Sequence, residues 1–270
     1  MAEIISTVND LNYLDYLSTG DSPIHRLDPR AKLLTVAVFI VSIVSFGRYE
    51  VSALLPYFFF PAVMIPLAGI PARYLSKKYL FLLPFAVLIG IFNPLFDRTP
   101  MLVIGEGSLT GGWVSFASII IRFTLTVLAA FILIAVTGFG GVCTALERFR
   151  VPRAFTVQLM MLYRYIFVLT GEAVRMAKAR EMRSVGKKGM GIRVYGSMIG
   201  HLLMRTWGRA QRVHLAMLSR GFHGEFPPKR PLAVQRADVA FTLTWCSLFI
   251  LLRFVNLPLV VGRLIMGVSL

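Results

Sequence analysis

Five stretches of this chain, at about 31–47, 51–70, 79–96, 113–137 and 237–256, are almost wholly apolar. Each is close to the ~20 residues with which an α-helix crosses ~30 Å of hydrocarbon. The runs are continuous rather than alternating, which excludes an outer-membrane barrel. A backbone in lipid must satisfy its own N–H and C=O groups, and a helix does so within one segment. The fold class is therefore an all-α integral membrane protein with about five transmembrane helices, four to six being compatible with the pattern. Hydrophobic residues make up 56% of the 270, against about 45–50% in a soluble domain. The mean hydropathy is +0.70. No basic segment followed by an apolar core marks a cleavable signal at the N-terminus.

Charge sets the expected topology. The connections carry Arg26, Arg30 and Lys32, then Arg48, then Arg73, Lys77 and Lys78, then Arg98, then a large basic segment, then Arg263. Rich and poor alternate. Basic connections stay in the cytoplasm, so the N-terminus is expected inside, the C-terminus outside, and the 97–112 loop outward. Pro56, Pro61, Pro66 and Pro84 interrupt the second and third runs and predict kinks or short broken helices there. Arg122 lies well inside the fourth run, where a charge faces protein or water. Packing or snorkelling is the plainer reading of it, and a direct part in transport the sharper one.

The net charge of +16 would suggest nucleic acid in a soluble protein, but its distribution argues against that partner. Residues 141–236 hold 18 of the 29 Lys+Arg and 4 of the 13 Asp+Glu, so that stretch is +14 and the remainder +2. Three parts follow from this: residues 1–137 with a surface segment and four spans, 138–236 as a cytoplasmic arm of long amphipathic helices, and 237–270 with the last span. Within the arm, 154–170 is apolar but short and carries Arg164, and reads as an interfacial helix. It continues as a helix to about 185. GKKGMG at 186–191 is a break, and 192–222 is a long helix. Tyr195, Ile199, Leu202, Thr206, Val213 and Met217 fall on one stripe of it, with Arg205, Arg209 and Arg212 along its flank.

AREMRS at 179–184 and AMLSRGF at 216–222 repeat one signature: an alanine, then an arginine four residues later, then a small residue. The members are Ala179, Arg183 and Ser184, then Ala216, Arg220 and Gly221. Alanine and arginine share a helix face at this spacing. Glycine at 186 and 221, and the prolines at 227 and 228, place both arginines at helix C-termini, where the helix dipole favours a cation. For either arginine alone, that is explanation enough. Two copies on one arm would also suit a partner with two equivalent acidic sockets, since guanidinium pairs bidentately with carboxylate.

These motifs, together with HRLDPRAKL at 25–33 and RVPR at 150–153 leading into LYRY at 162–165, resemble the transmembrane T component of energy-coupling-factor (ECF) transporters. The resemblance is closest to the CbiQ component of cobalt importers and covers most of the chain. It implies a non-catalytic coupling subunit, working with two cytoplasmic ATP-binding subunits and a CbiM-like membrane substrate-binding component. A small accessory membrane protein often accompanies these. Arg183 and Arg220 would each dock into one ATPase subunit. Ser184 stands where many members of that family have glycine, so a small residue is kept. Nickel or a vitamin in place of cobalt would fit the same residues.

Other chemistry lacks its parts. There is no GxxxxGK[ST], HExxH or nucleophile elbow. His25, His201, His214 and His223 share no span with a second ligand, and Cys143 and Cys246 have no metal spacing. No catalytic, cofactor or metal residue is assigned. An enzyme acting on lipid phosphates would need a base or ligands that are not arranged here. A stand-alone secondary transporter would need polar mid-membrane groups or repeated spans. Gly196 and Gly200 match a close-packing pattern, weakly.

Overall fold

The computed structural model describes residues 13–96, 100–104, 107–183, 191–224 and 234–255. They divide into two compact units, Asp15–Gly138 with Leu232–Leu270, and Met1–Leu14 with Phe139–Pro231. The first contains α1 (Pro23–Arg26), α2 (Pro29–Val44), α3 (Val51–Leu54), a 3-10 turn (Leu55–Phe58), α4 (Phe59–Leu67), α5 (Ala72–Gly90), α6 (Phe92–Phe96) and α10 (Arg236–Phe254). It also holds a short hairpin in the expected outward loop, with β1 (Pro100–Ile104) antiparallel to β2 (Gly107–Thr110). Helix α7 (Gly111–Arg148) is interrupted at Gly138 (φ 67°, ψ 160°), where the two units meet in sequence. The second unit continues with α8 (Arg153–Arg183) and α9 (Ile192–Ser219).

Among the described residues four helices are long and apolar enough to span a bilayer: Ala72–Leu95, Gly111–Arg148, Arg153–Arg183 and Arg236–Phe254. The run at 51–70, expected as one span, is instead broken into α3, the 3-10 turn and α4. The reason is local: Pro56 opens the 3-10 turn and Pro66 sits inside α4, and each removes a backbone donor. Gly69 (φ 63°) then ends α4, its N–H reaching Pro66 O while Ile70 N–H reaches Ile65 O. α2 is 16 residues long. Residues 154–170, read from the sequence as an interfacial helix that continues to about 185, are the apolar half of the 31-residue α8, whose length and composition would also suit a span.

The HRLDPRAK segment joins the start of α2 to the start of α10. Asp28 caps α2, accepting from Arg30 N–H at 2.9 Å, with Pro29 at the first helical position. Its own N–H donates to Asp238 Oδ1 at 2.7 Å, and Asp238 Oδ2 accepts from Gln235 N–H at 2.7 Å, completing a capping box on α10. Both carboxylates are buried. Each thus satisfies helix-end N–H groups that have no partner in their own helix. Lys32, also buried, donates to His25 O at 3.1 Å and Val136 O at 3.4 Å.

His25 holds the preceding turn. Its Nε2 donates to Leu17 O at 3.0 Å, so Nδ1 accepts from the Ser22 hydroxyl at 2.7 Å. Burial pushes this imidazole below its ordinary 6.5, against the pull of the Leu17 carbonyl, and Lys32 pushes the same way. A lowered pKa means that, as pH falls through about 6.5, the unfolded chain binds a proton before the folded one does. Stability is then lost until the folded ring itself titrates. The unfolding midpoint in detergent is expected to be lower near pH 5.5 than near pH 7.5, and His25→Gln should flatten that difference.

Between α2, the 3-10 turn, α4 and α10 lies an aromatic core. Phe39, Tyr57, Phe60 and Phe249 are fully buried, with ring centroids 4.7–6.1 Å apart. Tyr57 Oη donates to Phe249 O at 3.0 Å. Lipid is as apolar as these rings, so close dispersion contact and a satisfied hydroxyl, rather than escape from water, hold such helices together. The inward stripe of α7 follows three- and four-residue spacing: Ser115, Ser118, Arg122, Leu125, Ala129 and Ile132. Arg122 Nη2 donates to Gly47 O at 2.6 Å, tying α7 to the connection after α2, and Arg253 of α10 grips Ser45 O in the same connection at 2.9 Å. Arg122 therefore sits on a protein carbonyl, as the packing reading requires. Tyr79 and Thr124 share a 2.8 Å hydrogen bond between α5 and α7.

Candidate coupling arm

The second unit begins with the stretch of α7 that follows Gly138. It ends in a tight reversal: Arg150 N–H bonds Glu147 O and Val151 N–H bonds Leu146 O, with Arg150 at φ 65°. Glycine usually fills this left-handed position, and a non-glycine residue there is held under strain. Pro152 follows and α8 starts at Arg153. Arg153 reaches Glu147 at 3.8 Å across the turn. Phe139 stacks on Tyr163 at 4.4 Å and 13°, and Tyr163 meets Phe167 edge-on at 5.1 Å. The RVPR and LYRY motifs thus build the corner from which α8 leaves.

α8 and α9 are joined through Glu172. Its Oε2 accepts from Arg175 Nη2 and its Oε1 from Arg205 Nη1, both at 2.7 Å. The carboxylate is 20% exposed and the guanidiniums 69% and 65%. Pairs this open to water are screened and hold the helices only weakly. At 1.5 Å per residue the pairing lies roughly 16 Å before Arg183 along α8 and roughly 22 Å before Arg220 along α9.

Arg183 is the last residue of α8 and is exposed, with Ala179 half-buried one turn earlier. Ser184 lies outside the described residues. Arg220 is the C-cap of α9, and Gly221 (φ 75°) follows it. Gly221 N–H bonds Leu218 O and Phe222 N–H bonds Met217 O, both at 3.0 Å, which is the Schellman pattern. Ala216 and Arg220 are exposed. The second signature therefore ends its helix as the sequence predicts, the residues after Arg183 lie outside the described ones, and among the described residues neither the Arg183 nor the Arg220 guanidinium has an ion-pair partner.

Of the stripe expected on α9, Leu202, Thr206, Val213 and Met217 are half-buried, whereas Tyr195 and Ile199 are exposed. A Cβ added at Gly196 or Gly200 would meet nothing within 4 Å among the described residues, so the close-packing pattern is not used by α8 against α9. Glu172 was missed in the sequence. Its spacing to Arg175 was visible, but its link to Arg205, 33 residues on, was not. Among the described residues no three His, Cys, Asp or Glu side chains come together as a metal site.

Helices of this length and composition, with the basic arm they carry, define a multi-pass membrane protein. Residues 20–231 match the CbiQ family of cobalt transport proteins, and the chain belongs to that family. It is 28% identical to the energy-coupling factor transporter transmembrane protein EcfT of Thermotoga maritima, over 87% of this chain and 90% of that one. It is 26% identical to an uncharacterised protein of Methanocaldococcus jannaschii, over 89% and 85% respectively. A putative fused cobalt transport protein CbiMQ of Methanocorpusculum labreanum is 27% identical over 81% of this chain and 38% of its own length. The family is that of a transporter membrane component, the T component of ECF systems.

Proposed function

We propose that this chain couples two cytoplasmic ATP-binding subunits to a membrane substrate-binding component, in an importer whose cargo is cobalt ion. The observation that carries this is the pair of exposed arginines, neither ion-paired with a described residue, each four residues after an alanine in the last described turn of a long helix or at its C-cap. Each guanidinium is free to enter an acidic groove, and each is mounted on a helix stiff enough to transmit its displacement. Closure of the ATPase pair on ATP would move both helix ends and so shift the substrate-binding component, which releases its ion inward. The N-terminus and residues 138–236 then face the cytoplasm, as their charge favours. Cobalt, and a CbiM-like partner with or without a small accessory protein, rest on the family description and on the fused relative's name. A nickel or vitamin importer would use the same arm.

The test is affinity purification of the tagged chain from membranes that also express its ATPases, wild type beside Arg183→Glu/Arg220→Glu. Placing like charges together across an interface costs several kcal/mol, so recovery of the ATPases should fall at least a hundredfold while the chain still inserts. Cobalt uptake should fall with it. A double variant that keeps its ATPases and its uptake would sink the proposal.

A further inference from the structure

A cleft of ≈ 300 Å³ lies between α8 and α9, lined by Leu169, Glu172, Met204, Arg205, Arg209 and Arg212, among others. The three arginines follow one another by four and three residues and share a helix face. Glu172 is already saturated by Arg175 and Arg205. Arg209 and Arg212 pair with no described residue. Three guanidiniums against one carboxylate leave the lining with a surplus of +2. Arg212 lies back over the backbone, its Nη1 3.5 Å from where a Cβ at Gly208 would be. Leu169 and Met204 make the apolar wall.

Next to the arginines, moving round α9, come Leu215, Met204, Gln211, Leu218, Trp207, His214 and Leu203, all of them exposed. The free surface of α9 thus passes within half a helical turn from guanidinium to a mainly apolar strip in which Gln211 and His214 are the polar members. A helix that lies in the membrane interface has this profile, with arginine at headgroup level and Trp and Leu beneath it. Guanidinium also matches the oxygens of a phosphodiester.

We propose that the cleft of Leu169, Glu172, Arg209 and Arg212 binds the phosphate of an anionic phospholipid, whose acyl chains lie along the apolar side of α9. This role concerns the flank of the helix and is independent of what Arg183 and Arg220 contact.

The full-length chain, purified in detergent, would be titrated with phosphatidylglycerol or phosphatidylcholine and the retained lipid counted by native mass spectrometry. Wild type is expected to retain phosphatidylglycerol at least tenfold more strongly. Arg209→Gln/Arg212→Gln should lose roughly tenfold to thirtyfold of that, the effect of two cations near an anionic surface. Lys77→Gln/Lys78→Gln, the same charge change elsewhere, should lose little. Equal retention of the two lipids, or an unchanged cleft variant, overturns the proposal. So does full competition by inorganic phosphate at the lipid's own concentration, which would make this a free-anion site. A variant that keeps its lipid but loses a co-purifying protein would make the strip a protein interface, and the proposal would again fall.

Discussion

Asp238→Ala is expected to destabilise the first unit by roughly 2–4 kcal/mol, because it strips the acceptor from one buried backbone N–H and from a second, part-buried one at the start of α10. Those of Asp28 and Gln235 both end on this carboxylate at 2.7 Å. A buried donor left without a partner costs about 1–3 kcal/mol. Asp238 is also the only acid in the first turn of α10, where the helix dipole favours negative charge. The check is thermal unfolding in detergent, with a midpoint lowered by roughly 5–10 °C. Asp238→Asn separates the contributions. Its amide keeps one acceptor oxygen, so it should recover about half the loss. If alanine leaves the midpoint where it was, the link between α2 and α10 is not the anchor described.

Gly138→Ala should be nearly as severe, for a different reason. Its φ of 67° and ψ of 160° fall in a region that is essentially reserved for glycine, at about 1–3 kcal/mol for any other residue. The space is closed as well, since an added Cβ would lie 2.6 Å from Ser18 Oγ and 3.0 Å from Ser18 Cβ. Crowding of that kind adds about 1–3 kcal/mol. Gly140, two residues later, is helical with nothing within 4 Å of its added Cβ. Gly140→Ala should stabilise by roughly 0.5–1 kcal/mol. Opposite signs from two neighbouring glycines, read in one unfolding experiment, would locate the break in α7. Losses of equal size would refute it.

Periodicity and punctuation carried what was legible in advance. Gly221 marked the end of α9 because few other residues accept the left-handed turn its Schellman pattern requires. The prolines at 56, 61 and 66 announced a broken second run. What stayed hidden was non-local, or lacked a distinctive residue. Asp28 and Asp238 are 210 positions apart, and neither looks like more than a helix cap until the two helices meet. In TGFGG at 137–141 a break and an ordinary helical glycine look alike, because the difference is a dihedral angle and not a composition. The continuity of α8 through Gly171 was legible, since one glycine costs less than ending a helix there, whereas Arg164 made 154–170 read as interfacial although α8 as a whole is long and apolar enough to cross a bilayer. The second signature of the arm was legible as a helix end, whereas the cleft beside it needed the two helices in register before its charge could be seen.

The Glu172 junction has a mechanical consequence. An ion pair this open to water is screened and weakly held, so it opens and closes readily. It acts as a pivot pin and not a weld: it sets where two levers cross while leaving their opening angle soft. The lengths beyond it differ, roughly 16 Å on one lever and 22 Å on the other, so equal rotations about the pin sweep unequal arcs. Two arginine tips carried this way would not travel as mirror images, even if whatever grips them closes symmetrically.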